Sequence, residues 1–128
     1  MKLNHLLFIA TLALVSGSTM AATVMPFSQT TFDKLNNQGK GIIIDISATW
    51  CPTCKAQKPI IDRLSRDDAF NDVTVLHADF DKDKPVLKEF HVAMQSTLIA
   101  YRKGKEIDRS VGDTTNSGLT ALFQKAAR

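Results

Sequence analysis

The sequence predicts an α/β fold in which helices cover both faces of a central mixed β-sheet. Three observations support this prediction. The run GIIIDIS is almost continuously apolar, as is typical of a strand that is buried on both faces. Apolar residues recur at helical spacing after this run and again near the C-terminus. A turn that contains glycine, RKGK, separates two short strand-like segments and predicts a hairpin.

The first elements are a short strand near Val24 and a helix over residues 28–37. Ser28 suits the N-cap of this helix, because a serine hydroxyl accepts backbone N–H groups of the first turn. Gly39 lies just past the end of the helix, where glycine is common. Two apolar side chains form the predicted inward face: Phe32 and Leu35.

The elements after this helix alternate between strands and helices in the order βαβαββα. They are a strand over Ile42–Ile46, a helix after the cysteines, a strand over Val73–Phe80, a short helix, strands over Leu98–Tyr101 and Glu106–Val111, and a final helix. The inward faces of these helices are formed, in turn, by Ala56, Ile60, Ile61 and Leu64, by Val86, Leu87 and Phe90, and by Leu119, Leu122, Phe123 and Ala126.

Length and composition fit one globular domain. The chain has 128 residues, of which 44% are hydrophobic and 23% are charged. Lys and Arg number 16 against 13 Asp and Glu, and this weak positive charge does not support nucleic-acid binding. The one basic cluster, YRKGK over residues 101–105, is interpreted as a solvated hairpin turn.

The first 21 residues have the pattern of a secretory signal peptide. Lys2 precedes an apolar run from Leu6 to Val15, and small polar residues lead to Ala21. The apolar run is about half the roughly 20 residues that a membrane-spanning helix needs, so no stable membrane insertion is expected. The sequence therefore predicts an exported, periplasmic protein whose single domain covers residues 22–128.

Cys51 and Cys54 are the only cysteines and lie in ATWCPTCK, where the central strand ends and a helix begins. Cys51 falls in the first turn of that helix, where free backbone N–H groups and the helix dipole favour an anion such as a thiolate. Such a position lowers a cysteine pKa from about 8.5 toward 7 or below. Cys54 lies one turn deeper and is predicted to be more shielded. Cys51 is therefore expected to attack a partner disulfide, and Cys54 to resolve the mixed disulfide.

Two other roles for the cysteine pair are less well supported. A structural disulfide between residues three apart closes a very small loop and stabilises the fold little. A zinc site needs about four ligands, whereas the exported chain adds only His77 and His91, which are not at ligand spacing. We therefore predict a redox pair with no metal and no other cofactor. A metal-binding or redox-sensing module is the alternative from a different class.

Over nearly all of its length after the leader, the chain resembles the thioredoxin family. The matching stretches are IIIDISATWCPTCK, Pro59 in the helix that follows, VTVLHADFD, TLIAYRKGKE and Val111-Gly112. This resemblance implies a thioredoxin-like fold and thiol-disulfide exchange. The dipeptide Pro52-Thr53 looks like that of the periplasmic thioredoxin-like reductases of cytochrome c maturation, which supports a reducing role.

Asp45 lies six residues before Cys51 in the apolar strand, where a lone carboxylate is costly unless it is paired or protonated. The resemblance implies that this acid handles the proton of the buried cysteine. The family often pairs it with a lysine on the neighbouring strand, and His77 occupies that position here. We therefore predict that Asp45 and His77 relay a proton to Cys54, because histidine titrates nearest neutral pH. A partly exposed strand histidine without this role is the alternative.

The segment MQST, residues 94–97, departs from the family pattern. The family has a cis-proline facing the cysteines, and Ser96 stands at that position. A cis bond before a non-proline residue costs about 2.5–4 kcal/mol, so we predict a trans bond, with the Ser96 N–H and hydroxyl close to the sulfurs. The predicted substrate-docking surface is an apolar patch formed by Trp50, Cys51, Pro52, Gln95, Ser96, Thr97 and Gly112.

Together these features predict a periplasmic thiol-disulfide oxidoreductase that reduces disulfide-containing proteins. Because the periplasm is kept oxidising, a membrane thiol electron carrier is predicted to return electrons to the pair. A disulfide-forming oxidase is the rival within the enzyme class. Such enzymes usually carry a histidine between the cysteines and an inserted helical domain, and this sequence has neither.

Overall fold

The computed structural model describes residues 23–127. The predicted signal peptide, residues 1–21, lies outside the described residues. The elements are, in order, β1 (Val24–Pro26), α1 (Gln29–Asn37), β2 (Gly41–Ser47), α2 (Pro52–Leu64), β3 (Val73–Asp79), α3 (Lys84–Glu89), β4 (Thr97–Arg102), β5 (Lys105–Val111) and α4 (Asn116–Ala127). A short 3₁₀ helix, Asp68–Phe70, precedes β3. Within residues 23–127, no helix has the length and apolar character needed to cross a membrane.

The strands of the described region form a five-stranded mixed sheet in the order β1-β3-β2-β4-β5. β2 pairs in parallel with β3 and antiparallel with β4. β1 pairs in parallel with β3, and β4 and β5 form the predicted hairpin. The mixed sheet is therefore confirmed, and β2, which leads into the cysteines, is its central strand.

Helices cover both faces of the sheet, as predicted, and each face has its own hydrophobic core. The core under α2 and α4 contains Ile43, Ile61, Leu64, Phe70, Val73, Val75, Leu98, Ala100, Leu119, Leu122, Phe123 and Ala126. The core under α1 and α3 contains Phe32, Ile42, Ile44, Ile46, Leu76, Ala78, Val86, Leu87, Phe90 and Ile99. Successive isoleucines of β2 enter opposite cores because side chains alternate along a strand, which explains the continuous apolar run.

The predicted ends of α1 are confirmed. Ser28 is the N-cap, and its Oγ accepts the backbone N–H of Thr31 at 3.3 Å. Gly39 has a φ of +68°, the left-handed conformation with which many helices end. The local signals therefore mark both ends of the helix correctly.

The inward face of α2 differs from the prediction at one position. Ala56 is exposed, whereas Gln57 is 1% exposed. The buried residues of this helix are Cys54, Gln57, Ile61 and Leu64. They recur every three or four positions, which places them on one face of the helix. Helical spacing that starts at Cys54 therefore predicts the buried face correctly, whereas spacing that starts at Ala56 does not.

Candidate active site

The two cysteines lie at the junction of β2 and α2, as predicted. They are joined by a disulfide with a Cα–Cα distance of 5.3 Å. Cys51 is the N-cap of α2, and its Sγ accepts the backbone N–H of Cys54 at 3.1 Å. Pro52 begins the helix, at a position where proline loses no helical hydrogen bond. After reduction, the same N–H group and the helix dipole are in place to stabilise a Cys51 thiolate.

The predicted difference in shielding between the cysteines is wrong for this oxidised form. Cys51 is 1% exposed and Cys54 is 7% exposed. Both belong to a small buried cluster with Ala48, and Phe80 packs against it. The Cys51 side chain is directed at the first turn of α2 instead of at solvent, which explains its burial. The cysteines therefore differ in hydrogen bonding and not in exposure.

Trp50 and Pro52 lie at the surface beside Cys51, as the docking prediction requires. Trp50 is 55% exposed, so it is not a core residue, and Pro52 is exposed as well. The indole Nε1 of Trp50 donates a hydrogen bond to Oδ2 of Asp81 at 2.7 Å. This bond fixes the orientation of the ring. Sequence reasoning missed Asp81, because it lies in a loop after β3 and belongs to no periodic pattern.

The turn at residues 94–97 is trans, as predicted, since no cis peptide bond occurs within residues 23–127. Ser96 has a φ of +55°, a left-handed conformation that costs a non-glycine residue about 1–2 kcal/mol. Its Oγ donates to the carbonyl oxygen of Gln95 at 2.6 Å. The hydroxyl is thus directed at the backbone and not at the cysteine sulfurs, contrary to the prediction. Thr97 Oγ1 donates to the carbonyl oxygen of Met94 at 2.7 Å and tightens the same turn.

Two side chains of the predicted docking surface are not on the surface. Ser96 and Thr97 are 5% and 2% exposed, because their hydroxyl groups bind the backbone of the turn. Gln95 is partly buried and Gly112 is exposed. The N–H of Gly112 donates to the carbonyl oxygen of Ser96 at 2.9 Å, so the turn is joined to the end of β5.

Sequence reasoning also missed two exposed apolar side chains next to this turn. Met94 and Val111 are 55% and 54% exposed. Val111 pairs with Thr97 across β4 and β5, and Met94 precedes Gln95 in the chain. The predicted docking surface was described as apolar, but it omitted Met94 and Val111.

Asp45 and His77 are paired, as the sequence analysis predicted. They occupy the same register position of the parallel strands β2 and β3. Oδ2 of Asp45 lies 3.4 Å from Nδ1 of His77, and Oγ of Ser47 lies 3.5 Å from the same nitrogen. The Asp45 side chain is 14% exposed and that of His77 is 45% exposed. The pair therefore connects the interior of the sheet with solvent.

The hydrogen bond from Asp45 raises the pKa of His77 above its ordinary value of 6.5. Burial opposes this effect, whereas the charges of Asp45, Asp79 and Asp83 add to it. The second carboxylate oxygen of Asp45, Oδ1, is buried and has no hydrogen-bond partner among the described residues.

A groove of about 570 Å³ brings the paired residues and the second cysteine together. Its wall includes Asp45, His77, Ser47 and Cys54. β1 closes it on one side and α2 on the other, where Lys55 and Lys58 line it. The Asp45–His77 pair and Cys54 thus line the same groove, whereas Trp50, Gln95 and Gly112 do not line it.

No group of three or more His, Cys, Asp and Glu side chains in residues 23–127 is placed to bind a metal ion. His77 is held by Asp45, and His91 lies after α3, where its backbone carbonyl accepts from Nη1 of Arg109 at 3.3 Å. The site therefore consists of a disulfide at the N-terminus of α2 and a hydrogen-bonded aspartate and histidine in the adjoining groove.

Comparison with known proteins agrees with this geometry. The family model described as Thioredoxin matches residues 23–125. The chain is 36% identical to Thioredoxin H2 of Arabidopsis thaliana over 81 residues, which are 63% of this chain and 59% of that protein. It is 35% identical to a thioredoxin of Coprinus comatus over 95 residues, which are 74% of this chain and 89% of that protein.

A solved structure shows the same architecture. The crystal structure of Trxlp from Edwardsiella tarda EIB202 superposes with a TM-score of 0.77 and 38% sequence identity. The match covers 79% of this chain and 98% of the other. The order of helices and strands, the Cys51–Cys54 disulfide and the similarity to thioredoxins therefore all indicate the same fold.

Proposed function

Because the chain belongs to the thioredoxin family of thiol-disulfide oxidoreductases, we propose that it is a periplasmic reductase of protein disulfides. The observation that carries this proposal is the placement of Cys51 at the N-terminus of α2, where the Cys54 N–H binds its sulfur. That placement favours a thiolate at neutral pH, and the thiolate is the attacking species in disulfide exchange. The exposed Trp50 beside it offers an apolar docking site for a protein substrate.

The reaction proceeds in two exchanges. In the reduced protein, the Cys51 thiolate attacks one sulfur of a substrate disulfide, and the other substrate sulfur leaves as a thiolate that takes up a proton. Cys54 then loses its proton and attacks the Cys51 sulfur of the mixed disulfide. The second substrate thiol is released, and the Cys51–Cys54 disulfide seen in the structure is formed. Two electrons have passed from the protein to the substrate.

Asp45 and His77 take part in the second exchange in this proposal. Oδ1 of Asp45 lacks a hydrogen-bond partner in the described part of the chain, and the groove behind α2 contains both Asp45 and Cys54. Asp45 is thus suited to receive the proton that Cys54 loses. His77, hydrogen bonded to Asp45 and half exposed, passes that proton to solvent.

The periplasmic location and the source of electrons form the second part of the proposal. The leader pattern of residues 1–21 supports export. An exported reductase lies outside the cytosolic reducing pool, so a membrane thiol carrier is the proposed donor that reduces the Cys51–Cys54 disulfide after each turnover.

The catalytic part is tested by reduction of a protein disulfide, such as that of insulin, with dithiothreitol as the electron source. The protein is expected to accelerate the reaction at catalytic concentration. Cys51→Ser is expected to abolish the acceleration, whereas Cys54→Ser is expected to accumulate a covalent mixed disulfide through Cys51. Mixed disulfide in Cys51→Ser and none in Cys54→Ser would reverse the assigned roles.

The location is tested by fractionating cells that produce the full chain. Cleaved protein in the periplasmic fraction is expected, with a variant lacking residues 2–21 as the matched control that stays in the cytoplasm. Full-length protein in the cytoplasmic fraction would contradict the proposed location and the proposed electron donor together.

A further inference from the structure

Gln57 is a buried polar residue three positions after Cys54 on the same helix. It is 1% exposed. Its Nε2 donates to the carbonyl oxygen of Ser96 at 3.3 Å and to that of Asp113 at 2.9 Å. Both partners are acceptors, so chemistry alone decides that the amide nitrogen, and not the oxygen, faces these two loops.

The amide of Gln57 is only half satisfied. Its Oε1 is buried and has no hydrogen-bond partner in the part of the chain that the structure describes. An orphaned buried acceptor lowers stability, and an apolar side chain of the same size would avoid that loss. The neighbours at the same face of α2, Ile61 and Leu64, are apolar. The two donated hydrogen bonds favour glutamine here and the orphaned oxygen opposes it, so stability alone does not select glutamine over an apolar residue.

The two acceptors of Gln57 lie in two loops that contact the cysteine-bearing helix one turn after Cys54. Ser96 holds a left-handed φ of +55°, and its carbonyl oxygen also accepts the N–H of Gly112. Asp113 follows Gly112 directly. A single side chain of the cysteine-bearing helix thus binds the turn at residues 94–97 and the turn that follows β5.

We propose that Gln57 is a positioning residue that sets the backbone of Gln95 and Ser96 at the correct distance from Cys51 for an extended protein segment to bind. A proline at position 96 would lock the backbone of the turn through its ring, whereas a serine does not. The hydrogen bond from Gln57 to the Ser96 carbonyl restrains the turn instead. The inference rests on the proposed function, since it concerns protein disulfides and not small disulfides, which have no backbone to pair with the turn.

The test is Gln57→Met, which keeps the volume and removes both donors. For a protein disulfide such as insulin, KM is expected to rise about fivefold or more while kcat stays within about twofold. This pattern is expected because the substitution weakens substrate binding and leaves the reacting cysteines unchanged. For hydroxyethyl disulfide, kcat/KM is expected to stay within about twofold. An equal loss with both substrates, or no change with either, would overturn the proposal.

Leu64→Ala is the matched control, because Leu64 is a buried residue of the same helix in the core under α2 and α4. It is expected to lower the midpoint of unfolding without changing KM for either substrate. If the unsubstituted protein fails to reduce protein disulfides, the proposed function fails and this inference with it. An active unsubstituted protein and an unchanged Gln57→Met contradict this inference alone.

A second measurement does not depend on the folding of Gln57→Met. The Cys54→Ser protein is trapped through Cys51 as a mixed disulfide with a cysteine-containing peptide, and the side-chain amide resonances of Gln57 are followed by NMR. Docking against the turn is expected to shift them together with the Ser96 amide. Resonances that are unchanged by the trapped peptide would overturn the proposal.

Discussion

Asp45 and His77 occupy the same register position of adjacent parallel strands, with 3.4 Å between Oδ2 and Nδ1. This contact places a carboxylate inside the sheet and an imidazole at the rim of the groove that contains Cys54. The other charged groups around His77 are Asp79 at the end of its own strand, Asp83 at the start of α3 and, in the lining of the groove, Lys55, Lys58 and Asp62. The first two predictions concern this pair.

Replacing Asp45 by leucine is expected to stabilise the fold while slowing the reaction. The carboxylate is largely buried and one oxygen has no hydrogen-bond partner among the described residues. At pH 9, where the pairing with protonated His77 no longer contributes, its removal is expected to raise the free energy of unfolding by about 1–2 kcal/mol, whereas at lower pH the lost pairing offsets this gain. Loss of the proton acceptor is expected to slow release of the mixed disulfide by about 10²-fold. Urea unfolding and single-turnover kinetics measure the two effects.

Asp72→Asn is the control for the Asp45 prediction, since Asp72 is an exposed acid outside the groove. It is expected to leave both quantities unchanged. An Asp45→Leu protein that resolves the mixed disulfide at the original rate would argue against a proton-accepting role, and one that is less stable at pH 9 would contradict the expected cost of the unpaired oxygen.

His77→Asn is expected to weaken the fold at low pH more than at high pH. The pKa of His77 is raised above 6.5 in the folded protein by its hydrogen bond to Asp45, so the pairing stabilises fully below about pH 6.5. That stabilisation is lost as pH rises through the folded-state pKa. Urea unfolding at pH 5.5 and pH 9 measures the difference, with His91→Asn as a matched histidine control.

The same substitution tests the proton relay. If His77 carries the proton from Asp45 to solvent, His77→Asn is expected to shift the pH dependence of mixed-disulfide release, whereas His91→Asn leaves it in place. A pH profile that is identical in His77→Asn and in the unsubstituted protein would show that His77 is only a partly exposed strand residue.

Ser96→Pro is expected to destabilise the protein and to change its choice of substrates. A proline ring requires a φ near −65°, whereas Ser96 has +55°, so the turn must rearrange and its bonds to Gln57 and Gly112 are strained or lost. The expected loss is about 1–3 kcal/mol in the free energy of unfolding. Thermal unfolding and kcat/KM for two disulfide proteins measure the change.

Ser96→Gly separates the backbone effect from the side-chain effect. Glycine accepts a left-handed conformation without strain, so this variant is expected to keep stability within about 1 kcal/mol while it loses the hydroxyl bond to Gln95. A Ser96→Pro protein with unchanged stability and unchanged substrate preference would show that the position is neutral.

The features that the sequence predicted well depend on local pattern or on strand register. The Ser28 hydroxyl caps the start of α1, Gly39 lies just past its end in a left-handed conformation, and the apolar run of β2 identifies the central strand. The pairing of Asp45 with His77 was predictable because the thioredoxin family often pairs this acid with a residue on the neighbouring strand. In the structure the two residues lie opposite each other on β2 and β3.

The features that the sequence did not predict depend on how loops pack. Gln57 lies inward because Ser96 and Asp113 offer carbonyl oxygens to it, and nothing in its own segment indicates those partners. The left-handed conformation of Ser96 is likewise imposed by the turn, since serine has no intrinsic preference for it. Cys51 is as buried as Cys54 because its side chain caps α2.

The reduction potential of the Cys51–Cys54 pair, measured by equilibration with glutathione, tests the central claim most directly. One backbone N–H binds the Cys51 sulfur, which stabilises the thiolate modestly, so we expect a value near that of thioredoxin, roughly −270 mV. Such a value supports a reductase that needs a membrane donor. A value near −120 mV, typical of a strong disulfide-forming oxidase, would contradict the reducing role while leaving the fold and the redox pair unchanged.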